Sequence, residues 1–488
     1  MVPTIQDQSK DPNSAAFLRE AGDTNFDFHS LSAKAAGDER LKNAVSSNTQ
    51  RQYDGRQQGM TELPDPDGLR SLARDIKQHA LDNLDYYLEQ LQASVERNGG
   101  QVHFARDGEA ARRIIADIAK NAGCKRIIKS KSMAGEEIEL AHFLESTGLD
   151  LVETDLGEFI IQISHDKPSH LVAPIIHKDR ASIGHLFSEY FKTPYVEDPS
   201  ALTVQARAFM RNKFRASDLG ITGGNFLVAE TGQVCVVENE GNARQSLTTP
   251  RVLVSLVGIE KIVPRLADLA VMLKLLARSS TGQRMTVYTS IFGGPRQPGE
   301  KDGPEEFHLV LLDNGRSEIL ADPEYRETLR CIRCGACLNA CPVYRKIGGH
   351  AYGSVYPGPI GALITPLFQG LGKFKDLPQA SSLCGACYEA CPVKINIPRH
   401  LINLRRDITN RRLNGRFERL IYRLWAWSMK NHLTYRLLCT AQKFDLRRRA
   451  HKTGWIRSLP MFVAGWTRVR DMPAPAKRTF HEIWKDRA

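Results

Sequence analysis

Apolar residues recur at helical spacing early in the chain. From Leu72 to Val95 they stand three or four positions apart, and Asn98-Gly99-Gly100 would end such a helix. The preceding residues 1–68 are polar and interrupted by Gly, Pro and Asn. The pattern therefore predicts one amphipathic helix over 72–95, preceded by an N-terminal arm that is flexible or carries short helices.

Short apolar runs alternate with helical patterns after residue 100. Helices are predicted through Ile114 and Ile118 and again over 136–145. The runs between them are predicted strands, at 101–105, 126–128, 151–154 and 171–176. Such alternation is typical of βα units around a mostly parallel sheet, so we predict an α/β domain over 69–315.

The last part of the chain differs in composition from the rest. Residues 316–400 hold most of the cysteines and are predicted as loop and short helix, whereas 401–488 is predicted as a basic helical region. Residues 401–488 contain 21 Lys and Arg but only 6 Asp and Glu, so this tail accounts for the whole of the chain's net charge of +12. Such a surface suits a partner subunit or anionic lipid. Nucleic acid is not expected, because no recognition motif accompanies the charge.

No apolar run approaches the length of a membrane-spanning helix, and the N-terminus lacks the basic-then-apolar pattern of a signal peptide. We therefore expect a cytoplasmic protein, with the basic tail as a possible contact to the membrane surface.

Seven of the ten cysteines lie between Cys331 and Cys391. The run Cys331-Ile-Arg-Cys334-Gly-Ala-Cys337-Leu-Asn-Ala-Cys341-Pro has the C-x2-C-x2-C-x3-C-P spacing of bacterial ferredoxins, whose fourth cysteine ligates the other of two clusters. C-x2-C pairs also bind zinc. Zinc, however, explains neither the third C-x2-C step nor the two Cys-Pro dipeptides, so the spacing predicts two 4Fe-4S clusters.

The same rule divides the ligands into two sets. The first cluster receives Cys331, Cys334, Cys337 and Cys391, and the second receives Cys341, Cys384 and Cys387. Ser381 stands where the second loop should begin with a cysteine. The fourth ligand of the second cluster is then the Ser381 oxygen, water or a partner group, or one iron is missing and the cluster is 3Fe-4S. The scattered Cys235 and Cys439 are further alternatives.

Weaker patterns lie in the α/β part. Lys129-Ser-Lys131-Ser follows a predicted strand, where it forms either an anion site or a solvated loop. Gly220–Asn225 and Glu238–Arg244 combine turns with charged residues that could face one pocket, although hairpin turns need the same residues. The histidines at 142, 165, 177 and 185 have no metal-ligand spacing and are taken as ordinary residues.

Several of these stretches together resemble the lactate utilization protein B family. The resemblance rests on six motifs in order, Lys129–Met133, Glu153–Glu158, Glu238–Arg244, Asp302–His308, Arg330–Cys337 and His350–Gly361. It implies an N-terminal lactate-utilization domain with a fold like sugar-phosphate isomerases and CoA transferases. A ferredoxin-like two-cluster domain and a helical basic C-terminal region would follow. The family carries the same cluster ligands, with either Cys or Ser at the position of Ser381.

The resemblance also implies a role. It is that of an iron-sulfur electron-transfer subunit in the oxidation of L-lactate to pyruvate, with no complete active site of its own. Its partners would be two sister subunits, one cysteine-rich and one sharing the N-terminal domain type. The alternative is a substrate-binding or transferase-like α/β enzyme with structural clusters, in which Lys129, Lys131, Glu240 and Arg244 would matter most.

Overall fold

The computed structural model describes residues 26–450, 453–468 and 470–486. The chain divides into two compact units, Met1–Asn410 and Arg411–Ala488. The first unit holds the α/β part together with the cysteine-rich segment.

Between residue 26, where the description begins, and the first strand lie four helices. They are α1 (Phe28–Gly37), α2 (Glu39–Thr61), α3 (Pro66–Asp82) and α4 (Leu84–Arg97). The single helix predicted over 72–95 is in fact two, because Asn83 leaves the helical conformation (φ −126°, ψ 39°) and its side chain donates to the carbonyl of His79. The arm was predicted to be flexible or to carry short helices, and the length of α2, 23 residues, was not predicted because most of its residues are polar. The arm predicted before residue 26 lies outside the described residues.

Ten strands of the first unit lie within the described residues. They are β1 (Gln101–Ala105), β2 (Arg126–Ser130), β3 (Asp150–Glu153), β4 (Leu219–Thr222), β5 (Phe226–Val228), β6 (Gln233–Glu238), β7 (Val252–Gly258), β8 (Ile262–Val263), β9 (Tyr288–Phe292) and β10 (Glu306–Leu312). Six of them form a sheet in the order β1-β10-β7-β4-β2-β3, with every pair parallel. The predicted α/β class with a parallel sheet is thus confirmed. The remaining four form a smaller mixed sheet in the order β8-β5-β6-β9.

Helices cover both faces of the parallel sheet. Those that follow β1 along the chain are α5 (Gly108–Asn121), α6 (Met133–Glu137), α7 (Leu140–Ser146), α8 (Leu156–Ile163), α9 (Arg180–Phe191), α10 (Pro199–Ala216), α11 (Asn242–Thr248) and α12 (Leu266–Thr281). On one face, Ile115 and Leu144 pack on Ile127 and Val254. On the other, Leu247 of α11 packs with Leu253 and Leu309. Strands buried on both faces need apolar residues throughout, which explains the continuous apolar runs in the sequence.

One predicted strand is absent. Residues 171–176 form an irregular loop, in which Leu171 is buried and lines a cavity between the cysteines. The residues of the run are buried in different places, Leu171 at the cysteine site and Ile175 against the core around Phe159, and Pro174 with the neighbouring turns does not suit a sheet strand.

The cysteine-rich segment consists of short helices and loops, as predicted. Its helices are α13 (Arg316–Ala321), α14 (Ala336–Ala340), α15 (Tyr344–Ile347), α16 (Gly358–Gln369), α17 (Ala386–Ala390) and α18 (Ile397–Asn410). Helix α2 packs against α14, α15 and α12. The N-terminal helices therefore join the α/β part to the cysteine-rich segment.

The second unit contains the helices α19 (Arg416–Lys430), α20 (His432–Arg449) and α21 (Phe480–Lys485), with a two-stranded ribbon of β11 (Trp455–Ile456) and β12 (Met472–Pro473). Its buried core is small, with Leu446, Ala450 and Ile456 at the centre. No helix among the described residues is long and apolar enough to cross a membrane.

Candidate metal centre

The two cysteine loops have the same backbone conformation. Arg333 (φ 60°) and Gly335 (φ 76°) are left-handed in the first loop, and so are Leu383 (φ 56°) and Gly385 (φ 85°) in the second. Each loop leads into a five-residue helix, α14 or α17, that ends immediately before a Cys-Pro pair. Left-handed residues in such turns direct successive backbone amides into a concavity that favours anions. This suits the negative charge of thiolates and of sulfides.

The hydrogen bonds of the loops repeat in the same way. The amide of Arg333 donates to Cys331 Sγ at 3.4 Å, and the amide of Leu383 donates to Ser381 Oγ at 3.1 Å. The thiols that precede the two prolines, Cys341 and Cys391, each accept a backbone amide at 3.4 Å. Ser381 Oγ therefore occupies in the second loop the position that Cys331 Sγ has in the first.

The first set of predicted ligands surrounds one cavity. Its lining includes Cys331, Cys334, Cys337 and, from the second loop, Cys391. Because α14 packs against α17, Cys391 is brought beside cysteines more than fifty positions earlier in the chain. Burial raises the pKa of Cys334 to about 12 and that of Cys391 to about 11. Four sulfurs around one cavity, three of them buried and that of Cys331 half-buried, fit a metal cluster, whose positive irons stabilise the thiolate forms.

The second set lies nearer the surface. Burial raises the pKa of Cys387 to about 12, with further contributions from the charges of Cys341 and Cys384, so these three side chains are close together. Cys384 is exposed, however, and Ser381 is half-buried. The two candidate sites therefore differ in their access to solvent.

Arginines from distant parts of the chain hold the second loop. Arg70 of α3 donates from Nε and Nη2 to the carbonyl of Cys391, at 3.1 and 2.9 Å. Arg56 of α2 donates to the carbonyl of Glu389 at 3.4 Å, and Arg405 of α18 to that of Ser381 at 3.2 Å. The contacts of Arg56 and Arg70 were not predicted, because a lone arginine on a helix carries no local signal of a partner more than three hundred residues away.

A fully buried ion network joins the α/β part to the first cysteine loop. Arg316 makes a two-pronged contact with Glu137, at 2.9 and 2.8 Å, and a third with Glu260 at 2.5 Å. Arg333 of the first loop approaches the other oxygen of Glu260 at 3.4 Å, and the Tyr356 hydroxyl donates to Glu137 at 2.6 Å. The position of the first loop is thus fixed by charges that belong to the α/β part.

Two lysines lie near Cys331, Lys77 fully buried and Lys261 half-buried. Desolvation lowers the pKa of Lys77 to about 7 and that of Lys261 to about 8. Lys77 donates to the backbone carbonyls of Glu260 and Ile262. Desolvation disfavours the charged form of both lysines, whereas a nearby cluster that is negatively charged with four thiolates would favour it.

The loop between α8 and α9 closes over the first site. His170 Nδ1 accepts the amides of Val172 and Ala173, each at 3.1 Å, so its proton is on Nε2, which donates to Asn339 Oδ1 at 3.2 Å. Burial lowers the pKa of His170 to about 4. The imidazole is therefore neutral and shapes the loop that carries Leu171.

The remaining residues singled out from the sequence lie elsewhere. Lys129 and Lys131 form ion pairs at the carboxyl ends of β2 and β3, and Lys131 also approaches Glu240 at 3.8 Å. Arg244 stacks over the Tyr288 ring. Cys235 is buried within β6, whereas Cys439 belongs to α20 of the second unit.

One cluster of side chains was missed. Asp166 Oδ2 lies 2.9 Å from His177 Nε2 and 2.7 Å from Lys178 Nζ, and His350 donates to the carbonyl of Lys167 at 2.7 Å. His177 and His350 are far apart in sequence, so spacing could not reveal their contact. The cluster is a hydrogen-bonded network that ties the loop after α8 to the cysteine-rich segment.

The fold and the two loops define a class of protein, one that combines a parallel α/β domain with a two-cluster iron-sulfur segment. Comparison with known families agrees with this class. Family models match at residues 88–312 (LUD domain), 327–395 (4Fe-4S dicluster domain) and 410–488 (Lactate utilisation protein B, C-terminal).

The relatives extend over nearly the whole chain. Lactate utilization protein B of Bacillus licheniformis is 45% identical over 453 residues, which cover 92% of this chain and 94% of the relative. An Escherichia coli protein described as uncharacterized electron transport protein YkgF is 42% identical over 468 residues, with 95% and 97% covered. The chain belongs to the lactate utilization protein B family.

Proposed function

We propose that this protein is the iron-sulfur electron-transfer subunit of a complex that oxidises L-lactate to pyruvate. The main observation in support of the proposal is that the two cysteine loops have the same backbone conformation. They pack together through α14 and α17, so that each candidate site draws ligands from both loops. Bound iron-sulfur clusters would supply one-electron transfer at each site. Oxidation of lactate to pyruvate releases two electrons and two protons, so two neighbouring one-electron sites can hold both electrons.

The ligands follow from the same geometry. We propose that Cys331, Cys334, Cys337 and Cys391 hold the first cluster. The second would be held by Cys341, Cys384 and Cys387, with the Ser381 oxygen in the fourth position. The cavity between the first four sulfurs supports the first assignment, and the equivalent hydrogen bonds of Cys331 and Ser381 support the second.

The second unit offers a surface for a partner. Large apolar side chains of α19 and α20 are exposed on it, among them Phe417, Trp425, Trp427, Leu437 and Phe444. Arginines lie between them, which gives the surface both apolar area and positive charge. We propose that this surface binds one of two sister subunits, one cysteine-rich and one sharing the LUD domain. An anionic membrane surface has complementary chemistry as well.

The central experiment removes one thiol of the first site. Cys334→Ala and the control Cys124→Ala are purified anaerobically and mixed with the two sister subunits, and L-lactate is added while the cluster absorbance is followed. Cys124 is a buried thiol of the α/β core, remote from the loops, so its variant should be reduced by lactate as wild type is. We expect Cys334→Ala to keep its helical circular dichroism and to lose the lactate-driven bleaching of the first cluster.

Other results would separate the alternatives. If wild type is not bleached by L-lactate in the complete complex, the electron-transfer proposal is wrong. If Cys334→Ala loses its fold, the clusters are structural, and the protein acts through its α/β domain instead.

A further inference from the structure

The cavity between the first four cysteines has one charged residue in an otherwise apolar lining. Besides the cysteines, the described residues around it are apolar or glycine, with the single exception of Arg333. The Arg333 side chain is 7% exposed, so its guanidinium is buried. Burial acts to lower the pKa of Arg333, but negative charges outweigh it and raise that pKa, with a larger contribution from Cys331 than from Glu260. The guanidinium therefore lies close to a thiolate of the first site.

The other contacts of Arg333 leave part of its charge uncompensated. Its Nη2 approaches Glu260 Oε1 at 3.4 Å, whereas Arg316 holds the other oxygen of that carboxylate at 2.5 Å. The guanidinium also lies over the Tyr356 ring, whose centroid is 4.7 Å away. Its Nη1 is buried and has no hydrogen-bond partner among the described residues. Because buried charges are normally paired, this arrangement favours a further negative group at the cavity.

Leu383 has the equivalent position in the second loop. Arg333 and Leu383 each come immediately before the second cysteine position of their loop, and their φ angles are 60° and 56°. Leu383 is uncharged and half-buried. A different cation, Arg345, acts on Cys341 of the second site, but it is half-buried and donates to the carbonyl of Asn339 at 2.8 Å. The two loops thus share one backbone conformation and differ by one buried charge at this position.

A fixed charge beside a cluster acts on its reduction potential. Reduction by one electron makes the cluster more negative by one charge, which is unfavourable in an apolar cavity because little solvent screens that charge. A neighbouring positive charge stabilises the reduced form more than the oxidised form and therefore raises the potential. Arginine suits this task because its guanidinium stays protonated in proteins.

We propose that Arg333 sets the reduction potential of the first cluster, and that its charge raises this potential so that the buried cluster can accept an electron. The inference rests on the proposed function, in which Cys331, Cys334, Cys337 and Cys391 hold that cluster. Each L-lactate that becomes pyruvate gives up two electrons and two protons, and each cluster takes one electron. The protons are released where lactate is oxidised, and Arg333 exchanges neither a proton nor an electron.

The test is a potentiometric titration of the anaerobically purified, cluster-containing protein with dithionite and redox mediators, followed by electron paramagnetic resonance. It needs neither lactate nor the sister subunits. In Arg333→Leu, the ratio of reduced to oxidised first cluster at a fixed potential should fall by about 10-fold, which lowers its potential by about 59 mV for one electron. Leucine already has this backbone conformation at Leu383, so the loop tolerates the change. Arg333→Lys keeps the charge and should keep most of the wild-type potential.

A reciprocal variant and a control accompany it. Leu383→Arg places a positive charge at the equivalent position of the second loop and should raise the potential of the other cluster. The shift should be smaller than that of Arg333→Leu, because Leu383 is half-buried and water screens the new charge. Arg296→Leu removes one positive charge from an exposed pair with Glu305 and should leave both potentials unchanged.

Three results would overturn the proposal. The first is an Arg333→Leu protein that keeps its iron and its wild-type potentials, in which case Arg333 only secures the loop through Glu260. The second is an equal loss of potential in Arg333→Lys, which would show that the charge is not the cause. The third is a shift of the same cluster by Arg333→Leu and by Leu383→Arg. If Arg333→Leu does not retain its clusters, Leu383→Arg decides, and the proposal falls if the added charge raises neither potential.

The outcome is separable from that of the lactate experiment. A lowered potential in Arg333→Leu, together with a wild type that L-lactate does not bleach in the complete complex, refutes the proposed function and leaves the role of Arg333 standing. Bleaching by L-lactate with unchanged potentials in Arg333→Leu does the reverse.

Discussion

The buried arginine Arg316 should be a major source of stability for the first cysteine loop. Its side chain is 1% exposed, and its partners Glu137 and Glu260 are 2% and 1% exposed. Arg316→Met fills a similar volume without the charge. It leaves Glu137 with only neutral hydrogen-bond partners, and Glu260 with Arg333 as its remaining ion-pair partner and Lys261 nearby.

The magnitude follows from these contacts. Breaking a buried ion pair by removing one partner costs about 3–5 kcal/mol, because the other charge stays buried without compensation. Burial by itself would raise the pKa of Glu260, but Arg316 and Arg333 outweigh it and hold that pKa at about 2. Such a depressed pKa stabilises the fold above the unfolded value of about 4.5, and this contribution is lost as pH falls toward 2. The deficit of Arg316→Met should therefore be full at pH 7 and shrink below about pH 4.5.

Urea unfolding of the anaerobic protein, followed by circular dichroism, measures this deficit. The matched control is Arg296→Met, which breaks the exposed pair with Glu305 and should cost less than about 1 kcal/mol. The reasoning fails if Arg316→Met unfolds within about 1 kcal/mol of wild type at pH 7. It also fails if the control loses as much.

Three further predictions concern other parts of the chain. On exposure to air, wild type should lose roughly one iron of about eight and show the electron paramagnetic resonance signal of a 3Fe cluster, and Ser381→Cys should suppress that signal. An unchanged signal in the variant would exclude Ser381 as the ligand position. The pKa of His170 is about 4 in the folded protein and 6.5 in the unfolded chain, so the unfolded chain binds a proton first as the pH falls and is stabilised by it. Wild type should therefore lose about 2 kcal/mol of stability as the pH falls through 6.5 to 5, and His170→Gln should not. Equal pH slopes of the two proteins in urea unfolding would contradict this. Deletion of residues 411–488 should release the protein from its sister subunits in gel filtration and leave its cluster absorbance intact, and co-elution of the shortened chain would show that the tail is not the docking surface.

What the sequence could predict depended on the range of the interactions. The cysteine spacing and the parallel sheet were predictable, because a cluster-binding loop and a buried strand each leave a pattern within about ten residues. The contacts of Arg56 and Arg70 with the second loop join positions over three hundred residues apart, so no local pattern marks them. Arg316 likewise leaves no local pattern, because Glu137 at the end of α6 and Glu260 after β7 lie 179 and 56 residues away from it.

One feature was misread for a related reason. The apolar run at 171–176 was taken for a strand, because apolar residues that cover a cysteine site look the same in sequence as those of a sheet.

The difference in burial between the two sites explains why a serine is tolerated in one loop. At the first site, Cys334, Cys337 and Cys391 are buried and the loop with His170 and Leu171 closes over them, so water has poor access to a vacant iron position. Replacing a thiolate there would leave a buried metal without a ligand. At the second site Cys384 is exposed, so solvent can complete the coordination if the Ser381 oxygen does not. Under the proposed assignment, the loop with the weaker ligand is the one nearer the surface, and an iron held there would for the same reason be the one that oxidants reach first.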